Sequence, residues 1–210
     1  MKGADRVAEI IRRLMKEYPE PRTALNFETP FQLLAATVLS AQSTDTQVNR
    51  ITEGLFKKYR NARDFASVPL GAFQKEVSGV NFYKTKARNI HNAALMVVER
   101  FGGRVPRTME ELVELPGVAR KTANIILSNA YGVIEGVAVD THVKRLSQRL
   151  GLTKNEDPVK IERDLMEMTP RKHWADLSHL LIFHGRKICV ARKPRHGECV
   201  LFDICPSNSI

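Results

Sequence analysis

The chain has 210 residues, 43% hydrophobic and 27% charged, and its 33 lysines and arginines against 23 acids leave a net charge of +10. That apolar share supports a packed core and argues against disorder, while no run approaches the ~18 consecutive apolar residues of a membrane helix. A basic surplus of this size fits a polyanion such as nucleic acid, and the N-terminus MKGADRVAEIIRR lacks a signal-peptide core, so a cytoplasmic protein, nucleoid-associated in a prokaryote, is expected.

Helical periodicity runs through the chain. Val7, Ile10, Ile11, Leu14 and Met15 recur at i, i+3, i+4, i+7 and i+8, on one face of a helix. Pro30 suits a helix start, and Leu33, Leu34, Thr37 and Val38 continue from it. The spacing predicts further helices over about 45–59, 82–101, 108–114, 118–131, 141–150, 158–168 and 174–188. Turn signals separate them at Pro69-Leu70-Gly71, Gly102-Gly103, Pro116-Gly117, Gly132, Gly151 and Pro170. GVIEGVAV, residues 132–139, is the one β-like run and reads as a connector. The expected fold class is all-α, with roughly nine or ten short helices.

Residues 108–131 read as helix, hairpin, helix. Thr108 and Glu111 fit a capping box, and Gly117 permits a positive φ or a close backbone approach. A tight glycine turn before a helix points backbone N–H groups at a phosphate oxygen, which makes Gly117, Ala119 and Arg120 candidate DNA contacts. Lys121 then stands beside whatever carries that phosphate. An ordinary helical hairpin is the plain alternative. Asp140 follows 19 residues after Lys121 and, ahead of Thr141-His142-Val143, also makes a good N-cap. Cys189, Cys199 and Cys205 all fall in the last 22 residues, in a tail rich in Pro, Arg and Lys. An odd, clustered set of cysteines argues for a metal over disulfides, and a metal would hold a segment that has no core of its own.

LPGVARKTAN (115–124) followed by AVDTHVKRL (138–146) resembles the helix-hairpin-helix and Gly/Pro…Asp loop of the endonuclease III family of DNA glycosylases. LLAATVLSAQSTD (33–45), FYKTKARNI (82–90) and LIFHGRKICVARKPR (181–195) resemble other blocks of that family, in its order, so the likeness spans about residues 7–206. It implies two helical domains with a DNA-binding cleft between them. One covers 23–133 and carries the hairpin; the other joins 1–22 to 134–210 and carries a metal-cluster loop at 189–205.

The resemblance further implies a bifunctional DNA glycosylase and abasic-site lyase that removes oxidised pyrimidines from damaged double-stranded DNA in base-excision repair. It would act as a monomer, with no membrane and no obligate protein partner. Lys121 would be the nucleophile, its amine helped to shed a proton by burial or by a cation such as Arg120. Asp140 would assist that deprotonation and stabilise positive charge developing on the sugar. Gln42 matches the residue that enters the gap left by an extruded base, and Phe82 matches an apolar wedge, with a core phenylalanine as the alternative. Asn81 stands where glycine is more usual. Asp45 is placed in the lesion pocket, although Thr44-Asp45 is also a normal helix start.

In the tail, Cys189, Cys199 and Cys205 fit three positions of the family's C-x6-C-x2-C-x5-C pattern for a 4Fe-4S cluster, and His196 occupies the remaining one. Imidazole can ligate cluster iron. A structural zinc on the same four residues, or a 3Fe-4S cluster without His196, are the alternatives. Arg192, Lys193 and Arg195, pinned between ligands, would meet phosphates. Two rival functions remain at this point: a monofunctional glycosylase for adenine or mismatched thymine, which uses water, and a non-catalytic DNA-binding module.

Overall fold

The computed structural model describes residues 3–208, and all regular structure within them is helical. In chain order the helices are α1 (Gly3–Glu17), α2 (Pro30–Ser40), α3 (Asp45–Lys58), α4 (Ala62–Ser67), α5 (Leu70–Glu76), α6 (Tyr83–Phe101), α7 (Met109–Val113), α8 (Arg120–Tyr131), α9 (Thr141–Arg149), α10 (Pro158–Met168) and α11 (Trp174–Lys187). Short 3-10 turns occupy Arg171–His173, His196–Glu198 and Phe202–Ile204. The β-like run 132–139 forms no strand and is extended connector. No helix among the described residues is long and apolar enough to cross a membrane.

The chain divides into two compact units, one of residues 24–133 and one that joins 1–23 to 134–210. In the first, α2 starts at Pro30 behind the N-cap Thr29, whose side chain accepts from the Gln32 amide, and every residue from Phe31 to Leu39 is buried. Such a helix must be enclosed on all sides, and α3, α6 and α8 pack on it. Its one large polar side chain, Gln32, is satisfied: Nε2 donates to the Phe56 and Tyr59 carbonyls at 3.2 and 3.3 Å, and Oε1 accepts from the Glu28 amide at 2.8 Å.

Two helices here correct the sequence expectation. Residues 62–67 and 70–76 are helical, and Pro69-Leu70-Gly71, expected as a turn, is the start of α5 with Pro69 as its N-cap. Both are too short to show periodicity. The overlooked signal was Asn61-x-x-Asp64, a true capping box in which each side chain bonds the other's backbone. The pair exists to bury aromatic rings: Phe65 of α4 lies 5.1 Å from Phe31, 5.3 Å from Tyr59 and 5.7 Å from Phe73 of α5, centroid to centroid.

The second unit packs Val7, Ile10, Ile11 and Leu14 of α1 with Val143 and Leu146 of α9, Ile161 and Leu165 of α10, and Leu177, Leu180 and Leu181 of α11. Arg13 ties α1 to the C-terminal tail. Its guanidinium donates to the Val200 carbonyl at 2.9 Å, bonds both oxygens of Asp203, and holds Glu9 at 2.6 Å.

Arg12 first and Arg13 second hold the Glu9 carboxyl down at about 2, from an ordinary 4.5, and Arg13 holds Asp203 below the usual carboxylate range. Both acids are depressed in the folded chain, so the stability they contribute is present above about pH 4.5 and is lost as pH falls toward about 2. Thermal melts across that window should show Tm dropping with pH in the wild-type chain and dropping less in Arg13→Met. Parallel curves would show that the grip contributes nothing.

Candidate active site and metal centre

The hairpin forms because three local demands agree. Thr108 caps α7 by accepting from the Glu111 amide at 3.3 Å, and its hydroxyl donates to the Glu111 carboxylate at 2.8 Å. The expected Thr–Glu pairing is therefore present, with the carboxylate taking the hydroxyl. The chain then reverses through Gly117 at φ +82°, where an added Cβ would lie 3.0 Å from Asn89 Cβ and 3.1 Å from its Nδ2. Finally α8 starts at Arg120 behind Ala119, an N-cap that supplies no side-chain bond to the first turn. A helix start whose N-cap residue has no acceptor side chain suits an outside anion. Arg120 and Lys121 are both exposed there.

Asp140 ends the connector and caps α9, its Oδ1 accepting from the His142 and Val143 amides at 2.8 Å each. The cap fixes this half-buried carboxylate at the head of the helix. His142 Nδ1 is met by Arg145 at 3.2 Å, and burial pushes its pKa down, which suits a structural acceptor.

Gln42 and Phe82 both have left-handed backbone, at φ 55°. For a side chain of either type that conformation costs about 1–3 kcal/mol. Phe82 is 66% exposed, which disposes of the core-phenylalanine alternative. Asp45 is the half-buried first residue of α3, behind the N-cap Thr44, whose side chain accepts from the Gln47 amide.

In the tail, Cys189, His196, Cys199 and Cys205 line one pocket, together with Arg149, Arg195 and Phe202. The three thiols are unbridged and half-buried. Burial pushes the Cys199 and Cys205 thiols up, so holding them as thiolates requires added positive charge such as a metal supplies. Among the described residues no three Cys, His, Asp or Glu side chains converge closely enough to share a single ion. A donor set of this kind, spread around a cavity, fits a multi-iron cluster in which each ligand meets its own iron. The His196 ring packs 5.8 Å from Phe202. Arg192, Lys193 and Arg195 are exposed on the loop, with Arg195 3.7 Å from Glu198 and Lys193 at φ 54°.

Sequence reasoning missed the residues that brace this loop. Arg149 donates to Cys189 Sγ at 3.3 Å and to the Val190 and Ala191 carbonyls at 2.9 and 3.0 Å, and Arg145 donates to the Gly185 and Cys189 carbonyls. His184, only 2% exposed, stands between Tyr18 Oη at 3.5 Å and Cys199 Sγ at 3.4 Å, and burial brings its pKa down to about 4. In sequence Arg149 passes for an ordinary basic residue at a helix C-terminus, and His184 lies within an apolar stretch; the partners that give them meaning are distant along the chain.

A profile of the HhH-GPD superfamily of base excision DNA repair proteins matches residues 35–171, and one of the iron-sulfur binding domain of endonuclease III matches residues 189–205. The chain is 51% identical to endonuclease III of Synechocystis sp. over 202 residues, covering 96% of this chain and 92% of that one. It is 45% identical to endonuclease III of Bacillus subtilis over 189 residues, covering 90% and 86%. A solved structure of a trapped endonuclease III–DNA covalent intermediate superposes with a TM-score of 0.93 at 38% identity, covering 99% of this chain and 98% of that one.

Gly117→Ala meets both an unfavourable φ and a crowded neighbour. It should lower the unfolding free energy in urea titration by about 1–3 kcal/mol. Unchanged stability would mean that the turn does not need its glycine.

Proposed function

The chain belongs to the endonuclease III family of HhH-GPD base excision DNA repair proteins, and from that footing we propose how its own residues carry the reaction. It is a bifunctional DNA glycosylase and abasic-site lyase that removes oxidised pyrimidines from duplex DNA. The observation that carries the assignment is the hairpin: Gly117 in left-handed backbone leads into α8, with exposed Lys121 in its first turn. The hairpin amides take a phosphate, and the backbone laid over the helix start screens Lys121 from water.

Lys121 Nζ, as the neutral amine, attacks the sugar C1′. The glycosidic bond breaks and the damaged base leaves with its electron pair and a proton. The amine proton passes to the departing base; the nitrogen lone pair then breaks the C1′–O4′ bond, O4′ takes a proton from water, and the opened sugar is held as an iminium between Nζ and C1′. A C2′ proton is then removed, its electrons flow toward the iminium, the bond from C3′ to the phosphate oxygen breaks, and water releases the lysine. Asp140 takes the proton from Lys121 and offsets positive charge on the sugar. A water nucleophile would stop at base release, so a lysine at 121 disfavours the monofunctional alternative. Gln42 and Phe82 fill the space left by the extruded base, Asp45 lines the lesion pocket, and Arg192, Lys193 and Arg195 meet phosphates.

An iron-sulfur cluster is the cofactor of this family's C-terminal domain. Here Cys189, Cys199 and Cys205 would hold three irons and His196 the fourth, which supports a 4Fe-4S cluster with one imidazole ligand. When bound, it supplies structural order to the loop between its ligands, and the lysine chemistry does not pass through it.

Lys121→Gln should abolish borohydride trapping on duplex bearing thymine glycol, and Asp140→Asn should slow nicking by about 100-fold or more with little change in DNA affinity. The wild-type chain should nick both that duplex and one bearing only an abasic site. Base release without strand scission would support the monofunctional reading instead.

The purified protein should be coloured and carry about four irons. His196→Ala should lose iron, whereas His196→Cys should keep it at a lower reduction potential, because imidazole raises cluster potential relative to thiolate. A colourless protein with one zinc, or three irons in both the wild type and His196→Ala, would overturn the ligand set.

A further inference from the structure

Gln42 and Phe82 are two of the three non-glycine residues with left-handed backbone among the described residues. They lie in different loops, 41–44 and 79–82, and both are exposed. Exposed strain of this kind persists only where neighbouring groups impose it. Here the imposing groups run directly between the two loops. Asn81 Nδ2 donates to the Gln42 carbonyl at 2.8 Å, so one loop grips the other at its strained residue. Gln47, in the first turn of α3, bonds the Gly79 carbonyl in the opposite sense.

Lys86 of α6 touches both loops at once. Its backbone amide donates to the Phe82 carbonyl at 3.1 Å. Its ammonium donates to the Leu39 carbonyl at 2.8 Å, the Ala41 carbonyl at 2.5 Å and Ser43 Oγ at 3.3 Å. Three N–H donors meet three acceptors. The charge is buried, at 6% exposure, and faces the last carbonyls of α2, where the helix dipole presents its negative end. A buried lysine with this geometry fixes the path of 39–43 as firmly as a packed side chain would. Asn81 adds what a glycine at that position has no atoms to provide.

We propose that Asn81 and Lys86 are positioning residues that lock loops 41–44 and 79–82 into one unit, so that Gln42 and Phe82 enter the duplex together. The inference rests on the assignment of Gln42 and Phe82 as inserting residues and adds the device that couples them. Neither Asn81 nor Lys86 needs to touch DNA. Their effect is to keep the left-handed turns populated before DNA arrives, so that binding energy is not used to form them.

A double-mutant cycle tests the coupling. Single-turnover release of thymine glycol from duplex would be measured for Gln42→Ala, Asn81→Ala and the double variant, with 2-aminopurine beside the lesion reporting unstacking. Asn81→Ala should slow release by about fivefold and blunt the 2-aminopurine rise. In the double variant the rate should equal that of Gln42→Ala alone, because Asn81 acts through Gln42. Lys86→Met should show the same defect, with partial recovery in Lys86→Arg. Asn81 is exposed, so its variant tests the idea even where Lys86→Met fails to fold. Effects that multiply independently, or a wild-type rate in Asn81→Ala, would overturn the coupling and leave the enzyme's function standing. Normal release and unstacking in Gln42→Ala would remove the insertion role and this proposal with it. A wild-type chain inert on thymine glycol would bring down the functional assignment itself.

Discussion

The enclosure of α2 is the constraint from which the 24–133 unit follows. A helix buried from Phe31 to Leu39 offers no face to water, so three others must surround it. Those three are α3, α6 and α8. Each begins beside a residue proposed to act on DNA: α3 at Asp45 just after Gln42, α6 just after Phe82, and α8 at Arg120 and Lys121. The requirement to cover one apolar rod therefore also decides where three polar helix starts fall. Loosening the core would move those starts.

The surplus of basic residues has a second use that net charge conceals. Lys86, Arg145 and Arg149 direct their donors at backbone carbonyls, and Arg13 spans a carbonyl and two carboxylates. Each holds a segment without regular structure: the turn after α2, the start of the metal loop, and the end of the tail. A cation with several donors can satisfy several orphaned carbonyls at once, which a single apolar contact cannot. Part of the +10 charge is thus structural mortar, and only the remainder is on offer to phosphates.

Much of this was legible in the sequence where the signal is local. The α1 stripe, the Pro-Gly hairpin and the cysteine spacing each depend on residues a few positions apart, and each appears in the structure at the expected place. Two short helices escaped because six or seven residues do not complete enough turns to show a period. The Lys86, Arg149 and His184 contacts escaped for another reason. Lys86 pairs with atoms more than 40 residues back in the chain, and Arg149 with atoms about as far ahead. No spacing rule relates such partners; only the packed fold brings them together. The motif singled out Lys121, but not its exposure, because the motif carries no information on what covers it.

The second unit is assembled from both sides of an inserted one, and this orders events on the ribosome. α1 is made first, yet it packs on α10 and α11, which are made last of the helices. Residues 24–133 meanwhile hold a complete core of their own and can collapse while the rest is still being translated. Until then the stripe of Val7, Ile10, Ile11 and Leu14 emerges without its cover, a natural target for a holdase chaperone. The iron-sulfur binding segment, residues 189–205, follows every α-helix in the sequence, so iron and sulfide are delivered only after those helices have been made.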